Sequence, residues 1–234
     1  MSVIISKDNF KIIQYDNHIF TIEFSSPSPA LIHSLVKTKL ILGATITNDY
    51  QTVKFKAHSV KTLLQFQGEN SPHTKKISIK NAHLLTSNLV TQLQYLLYEN
   101  STIIGYHPEN IIVINDQKFA FLGNEYVTPV YDEQILISYP FSHTDFFVSP
   151  ELCKIKELPS YVHYKTAYFS LACLVVYTLL GNNDFYDTYL QTRSNVLVNI
   201  MQNLDHHSMK HTKLYWLLSR CFIVEPEKRV LLFI

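Results

Sequence analysis

Residues 103–113, IIGYHPENIIV, carry the pattern from which the fold can be inferred. Apolar runs lie on both sides of the polar stretch His107–Asn110, in which a proline fixes the backbone and favours a loop. Another mostly apolar run, residues 118–121, follows a short polar turn. The pattern predicts a small hairpin in which Ile111–Ile114 pairs with that second run.

The polar stretch resembles the catalytic loop of eukaryotic protein kinases, whose usual form is HRDLKPENILI. Further segments match other motifs of that family in the same order along the chain. KFAFLG at 118–123 resembles the DFG strand and turn, FVSPEL at 147–152 the APE element, and TAYFSLA at 166–172 the buried F helix. EPEKR at 225–229 resembles the late [DE]-P-x-x-R sequence. The motifs lie within about residues 80–234, and the order of predicted elements extends the resemblance over the first 60 residues.

The first 60 residues predict two strand pairs that flank a helix. Runs of β-branched and aromatic residues are typical of strands, and a proline at the first helical position is typical of a helix start. The predicted elements are the strands Phe10–Tyr15 and Ile19–Phe24, the helix Pro29–Lys39, and the strands Leu40–Thr47 and Thr52–Phe55.

Helices dominate the rest of the chain, where apolar residues recur at helical spacing or form a buried run. The predicted elements are a short amphipathic segment at residues 60–66, a polar loop at Gly68–Lys76, helices at Asn81–Glu99, Thr166–Leu180 and Lys213–Phe222, and a long loop without periodicity at Asn124–Ser149. Together the elements predict the α+β class. The resemblance then implies a two-lobed protein-kinase-like fold, with a reduced strand-rich N-lobe at residues 1–58 and a helical C-lobe at residues 59–234.

The resemblance also indicates which catalytic groups are missing. An active kinase uses one Asp to position the substrate hydroxyl and a second Asp to hold Mg²⁺. The positions of these aspartates correspond to Gly105 and Phe121, and that of the loop lysine to His107. Asn110 is retained where the second metal would bind, but a lone neutral ligand does not hold Mg²⁺. These degenerate positions predict that the loop contains no catalytic, cofactor-binding or metal-binding residue.

The elements that would bind a nucleotide are missing as well. The strand at residues 19–24 has no lysine to grip phosphates, with Glu23 the nearest equivalent, and the helix at residues 29–39 has no acidic partner. No glycine occurs before Gly43, so no glycine-rich phosphate loop precedes it. Removing one group that stabilises the transition state typically slows an enzyme by a factor of about 10²–10³. Four absent charged roles therefore predict no phosphoryl transfer.

By contrast, two residues with a structural role in the family are retained. Glu151 and Arg229 correspond to the partners of a buried ion pair that joins the activation segment to the late helices. The resemblance therefore implies an ion pair between Glu151 and Arg229. A chance match of Pro-Glu and a late arginine is the alternative.

Three other groups of residues suggest chemistry outside the resemblance. His207 and His211 have the i, i+4 spacing of zinc ligands and lie near His206 and Asp205, but no general-base glutamate or cysteine accompanies them. A solvated loop that enters a helix is the favoured interpretation. Cys153 has no basic residue close before it to activate the thiol. Hydroxyl side chains in the long loop are candidate phosphorylation sites, with ordinary surface residues the favoured alternative: Tyr126, Thr128, Tyr131, Tyr139 and Thr144.

Composition limits the classes of partner and compartment. The chain has 20 basic and 19 acidic residues, a net charge of +1, which gives no reason to expect nucleic acid or an anionic membrane as a partner. Three cysteines form no disulfide framework and fit a reducing, intracellular compartment, most simply the cytoplasm. The amino terminus has no apolar run of signal-peptide length, and the run Ala167–Leu180 is shorter than the roughly 20 residues that span a bilayer.

The sequence thus predicts a catalytically inactive module that acts through a protein partner of unknown identity. It would serve as a regulator, a scaffold or a structural subunit of a larger complex, without a cofactor. The alternative is an atypical kinase or nucleotide-binding protein that uses displaced residues.

Overall fold

A computed structural model of the chain describes residues 1–71, 73–142, 145–181 and 209–232. The protein is an α+β structure with antiparallel sheets. The first part of the chain forms β1 Ser2–Ser6, β2 Phe10–Asp16, β3 Ile19–Phe24, α1 Pro29–Lys37, β4 Leu42–Ile46 and β5 Thr52–Lys56. The later elements are β6 Val60–Thr62, α2 Leu63–Asn70, α3 Ile79–Tyr98, β7 Ser101–Ile103, β8 Ile111–Ile114, β9 Lys118–Phe121, β10 Val127–Pro129, β11 Gln134–Ile137, β12 Ser160–His163, α4 Thr166–Leu180 and α5 Lys213–Cys221.

Strands β1 to β5 form one antiparallel sheet in the order β1-β2-β3-β5-β4. Ile12, Ile22 and Val53 lie directly opposite one another on the three central strands and are completely buried. Because side chains alternate between the faces of a strand, this row marks the face that packs on the core. Helix α1 follows β3 and buries Leu31, Ile32 and Leu35 in the same core.

The later part of the chain is built around α3 and α4. Helix α3 begins at Ser78, whose side chain accepts a hydrogen bond from the amide of Asn81, and it buries one face that includes Leu85, Leu89, Leu93 and Leu96. Helix α4 is buried on all sides apart from Leu179, which identifies it as a central core helix. A sheet of order β6-β8-β9 packs beside α3.

One hydrophobic cluster runs through both parts of the chain. Its buried members extend from Ile5 in β1 to Phe222 after α5. The hydrophobic core is therefore continuous between the strand-rich part before residue 56 and the helix-rich part after it. No helix in the described residues combines the length and apolarity needed to cross a membrane.

The structure confirms the strong sequence signals and corrects the weak ones. The β8–β9 hairpin and α4 have the predicted bounds. Helix α1 ends at Lys37, before Lys39, which adopts a positive φ of 58° that a helix cannot continue through. The polar loop predicted from Gly68 begins inside α2, because Thr62 and Gln65 form a capping box that starts a helix there.

The prediction of a long loop at Asn124–Ser149 is wrong for residues 127–129 and 134–137 of that segment. It contains β10, which pairs with β7, and β11, which pairs with β12. In β11 the exposed and buried residues alternate, with Ile135 and Ile137 turned inward. Strands of three or four residues give too few periods to be recognised in a sequence. Strand β1 was likewise not predicted.

Candidate functional site

A cleft of about 480 Å³ lies where the turn between β1 and β2 faces the loop that precedes β8. The residues around it come from both parts of the chain. They are Lys7, Asp8, Asn9, Ser25, His107, Glu109, Asn110, Glu125, Tyr126 and Asp145.

The charge around this cleft is predominantly negative. Within the described part of the chain, four carboxylates line it, from Asp8, Glu109, Glu125 and Asp145, against a single ammonium group, that of Lys7. Lys7 Nζ lies 2.7 Å from Glu109 Oε2, which lowers the pKa of Glu109. Burial raises the pKa of Glu125. A cleft lined by one sign of charge repels ligands of the same sign, so this lining disfavours a triphosphate.

Gly105, where the resemblance places the catalytic aspartate, has no room for any side chain. A Cβ built on Gly105 would lie 2.0 Å from Cδ2 of Phe146, and real Cβ atoms essentially never come within 3.0 Å of a non-bonded atom. The Phe146 ring also contacts the rings of Tyr126 and Phe141, with centroids 5.4 Å away in each case. The ring therefore takes the space into which an aspartate would project.

Phe121, where the resemblance places the metal-binding aspartate, points into the core. Its side chain is completely buried and contacts the ring of Tyr106, edge to face, at a centroid distance of 5.2 Å. Burial also raises the pKa of the Tyr106 hydroxyl well above its usual range. The side chain of Phe121 offers no ligand to a metal ion, because a phenyl ring carries no oxygen, nitrogen or sulfur donor.

The side chain of Gln92, on α3, fixes the backbone of Phe121. Its Oε1 accepts a hydrogen bond of 2.9 Å from the Phe121 amide, and its Nε2 donates to the Phe121 carbonyl at 3.0 Å. Nε2 also lies 3.1 Å from the hydroxyl of Ser34 on α1. Gln92 and Ser34 are completely buried, so a polar link joins α1, α3 and β9 inside the core.

His107 and Asn110 line the cleft near the short helical turn 108–110. His107 Nδ1 accepts a hydrogen bond of 3.3 Å from the Glu109 amide and so caps this turn. Burial lowers the pKa of His107, which favours the neutral imidazole. Asn110 is buried, and its carbonyl accepts a hydrogen bond of 2.8 Å from the amide of Leu122. The structure thus brings two of the four degenerate positions into the cleft and turns Phe121 away from it.

Long-range polar contacts join the loops of the five-stranded sheet to the loops that precede β8 and β10. Besides the Lys7–Glu109 pair, the side-chain amide of Asn9 donates to Glu125 Oε2. The side-chain amide of Asn124, through Nδ2, donates to the hydroxyl of Ser26 at 2.9 Å. These partners are about 100 residues apart in the chain, and no local pattern in the sequence indicates them.

The structure also brings Glu151 and Arg229 together. Arg229 Nη1 and Nη2 donate to the two carboxylate oxygens of Glu151 at 2.6 and 2.8 Å, a bidentate pair. Arg229 is completely buried, and its remaining donors reach the carbonyls of Ile223, Lys165 and Val224. The guanidinium group also lies 5.2 Å from the ring centroid of Phe169.

Of the other residues suggested by the sequence, Tyr126 lines the cleft, and several lie outside the described residues. Asp205, His206, His207 and Thr144 lie outside the described residues. Within the described ranges, no group of three or more His, Cys, Asp or Glu side chains could hold a metal ion. Cys153 is exposed. Tyr131 and Tyr139 are 72% and 83% exposed, whereas Tyr126 packs on Phe146 at the cleft.

The chain matches no protein-family model and no curated protein.

Proposed function

We propose that the chain is a catalytically inactive, protein-kinase-like module that acts by binding a protein partner. The observation that carries the proposal is the contact between Phe146 and Gly105, which leaves no space for a catalytic carboxylate where the resemblance puts one. Phe121 adds to it, since an apolar core residue takes the second aspartate position.

The arrangement of the elements supports the two-lobed interpretation. A five-stranded antiparallel sheet with α1 between its third and fourth strands precedes a part rich in helix, and the cleft lies between the two. The Glu151–Arg229 pair and the buried helix α4 are the features that the resemblance implies for the family's framework, and their presence supports the proposal. An inactive module needs a stable fold, in which buried charges are paired, but it does not need catalytic aspartates in its cleft. The chain combines these two features.

The electrostatics of the cleft argue against the nucleotide-binding alternative. Phosphoryl transfer depends on cations and metal ligands placed around the phosphates. Among the residues that the structure describes, Lys7 is the one cation that lines the cleft, and it is already paired with Glu109. A nucleotide would have to displace this pair and then face four carboxylates.

A protein partner is the better candidate ligand. The buried Glu151–Arg229 pair is formed, whereas Gly105 and Phe121 stand where the resemblance puts the two aspartates of a nucleotide site. Affinity capture of the tagged chain, with the stoichiometry measured by quantitative mass spectrometry, identifies the partner. A partner recovered at a fixed ratio supports a role as scaffold or subunit. Absence of any reproducible partner would contradict binding as the activity.

Thermal unfolding with nucleotide tests the proposal against its alternative. A ligand stabilises a protein by RT ln(1 + [L]/Kd), so a cleft without affinity gives no shift even at millimolar concentration. We expect no shift in Tm with ATP or ADP, with or without Mg²⁺, and no phosphorylation of the chain or of generic substrates. A saturable shift at micromolar nucleotide, or turnover that Asn110→Ala abolishes, would favour the atypical enzyme instead.

A further inference from the structure

Three of the four carboxylates around the cleft have no cationic partner. Glu109 is paired with Lys7, whereas Asp8, Glu125 and Asp145 form no ion pair with any residue that the structure describes. Asp8 and Glu125 are also exposed, so a ligand can reach them from solvent. These unpaired charges make the cleft a site of local negative potential that a cation would neutralise.

This negative potential is a property of the cleft and not of the whole chain. The net charge of the chain is +1, so the molecule as a whole does not attract cations. Attraction of a cationic ligand would therefore depend on the carboxylates of the cleft and would be lost with them.

A buried amide side chain in the same cleft also lacks a partner. Asn110 lines the cleft and is only 7% exposed. Its backbone groups are paired with His107 and Leu122, but across the described ranges its side chain forms no hydrogen bond. Gly123 leaves room for this side chain, since a Cβ there would lie 2.9 Å from Asn110 Nδ2. Buried polar groups are nearly always hydrogen-bonded, so the Asn110 amide indicates a ligand that enters the cleft.

The arrangement of the carboxylates favours an organic cation over a metal ion. No group of three or more His, Cys, Asp or Glu side chains in the described part of the chain could hold a metal ion, so these carboxylates do not converge on one point. Lysine and arginine side chains carry several donors on long stems and can reach separated carboxylates. A cleft of about 480 Å³ is large enough to take such side chains.

We propose that the cleft binds a segment of the protein partner that is rich in lysine or arginine. The carboxylates of Asp8, Glu125 and Asp145 pair with its charges, and the side-chain oxygen of Asn110 accepts a hydrogen bond from one of its donors. The inference rests on the proposed function, because it names the chemistry of the partner that the module binds.

Fluorescence anisotropy with two labelled peptides of equal length tests the inference on the whole chain. One peptide alternates arginine with glycine, and the other alternates glutamate with glycine. We expect the arginine peptide to bind saturably, the glutamate peptide not to bind, and an increase in ionic strength from about 0.05 M to about 0.5 M to weaken binding. Equal binding of the two peptides, or no binding of the arginine peptide, would overturn the proposal.

Substitutions then show whether the peptide binds at this cleft. Asp8→Asn and Glu125→Gln each remove one exposed charge at nearly constant volume and should weaken the arginine peptide about two- to five-fold. Asn110→Ala should weaken it about tenfold, with Tm measured to show that the variant is folded. Glu157→Gln is the matched control, because it makes the same change in net charge at an exposed position that does not line the cleft.

An equal effect of Glu157→Gln and of the two exposed cleft variants would refute the inference. Binding of the partner itself separates this failure from failure of the proposed function. A captured partner that binds the wild type, Asp8→Asn and Glu125→Gln equally well would contradict the inference and leave the proposed function standing. Absence of any reproducible partner would contradict the proposed function.

Discussion

The ring of Phe146 lies against Gly105 so closely that a Cβ added to Gly105 would be 2.0 Å from the ring. Phe146 is 2% exposed and packed by neighbouring aromatic rings, so it cannot move aside without opening a second hydrophobic cluster around Ile135 and Val162. The packing of Phe146 therefore requires a residue without a side chain at position 105. A substitution at this position alone could not introduce a catalytic aspartate.

The first prediction follows from this contact. Gly105→Asp should place a carboxylate against a buried ring and destabilise the protein by at least the 1–3 kcal/mol typical of overpacking, without creating phosphoryl transfer. Denaturant unfolding measures the change, and a radiolabelled phosphate assay measures activity. Gly68→Ala is the matched control, since a Cβ there meets nothing within 4 Å and alanine suits a helix. A stable Gly105→Asp variant would show that Phe146 can leave its place.

The second prediction concerns Gln92. Gln92→Leu removes the partners of the Phe121 amide and carbonyl inside the core, and each orphaned polar group costs about 1–3 kcal/mol. We expect a large loss in the free energy of unfolding, with faster exchange of the Phe121 amide. Gln94→Leu, two residues along the same helix and exposed, should be nearly neutral. Similar effects from the two variants would mean that the buried link contributes nothing specific.

The third prediction is a pH dependence that arises from His107. Burial lowers the pKa of His107 in the folded protein below the value near 6.5 of an unfolded chain. Above that value the imidazole is neutral in both states, so it contributes no pH dependence. As the pH falls below about 6.5, the unfolded chain takes up the proton first, and the folded protein loses stability down to the folded pKa.

His107→Asn removes this titration while keeping a side-chain oxygen that can cap the turn at residues 108–110. The free energy of unfolding of the wild type should therefore fall more steeply between pH 7 and pH 5 than that of His107→Asn. Urea titrations at several pH values measure both slopes. His73→Asn, at an exposed position, controls for the removal of one imidazole. Parallel curves for the wild type and His107→Asn would contradict the predicted burial effect.

Part of this fold follows from local sequence patterns. The strands at Ile111–Ile114 and Lys118–Phe121 and the helix at Thr166–Leu180 were predicted with their observed bounds, because continuous apolar runs end at clear polar turns. The short strands β7, β10, β11 and β12 depend on pairing with distant segments. Their sequences alone carry too little periodicity to identify them.

The site is less accessible to sequence reasoning than the fold. The Lys7–Glu109, Asn9–Glu125 and Phe146–Gly105 contacts depend on tertiary packing between segments that are tens of residues or more apart in the chain. Gln92 did carry a signal, since it continues the buried spacing of Leu85, Leu89 and Leu96 on α3. A polar residue on an apolar helical stripe indicates a buried hydrogen bond, and it could have been found in advance.

The last prediction concerns Glu151 and Arg229. Arg229 is completely buried, and its charge is balanced by a bidentate contact with Glu151 and by three backbone carbonyls. Glu151→Ala leaves the guanidinium group without a counter-charge, and Arg229→Ala leaves the Glu151 carboxylate without its partner. Each single change should cost about 3–5 kcal/mol, a large share of a typical total stability of about 5–15 kcal/mol.

The double variant separates a paired interaction from two independent ones. With both charges removed, no unpaired charge stays buried, so Glu151→Ala with Arg229→Ala should cost less than the sum of the two single changes. Glu227→Ala, an exposed glutamate close to Arg229 in the sequence, should be nearly silent and controls for removal of a carboxylate there. Equilibrium denaturation of these variants and the wild type gives the coupling energy directly. Two charges that neutralise each other in a buried site give single-variant costs that do not add up to the cost of the double variant. Strict additivity of the unfolding free energies, or neutral single variants, would therefore show that the pair does not stabilise the fold.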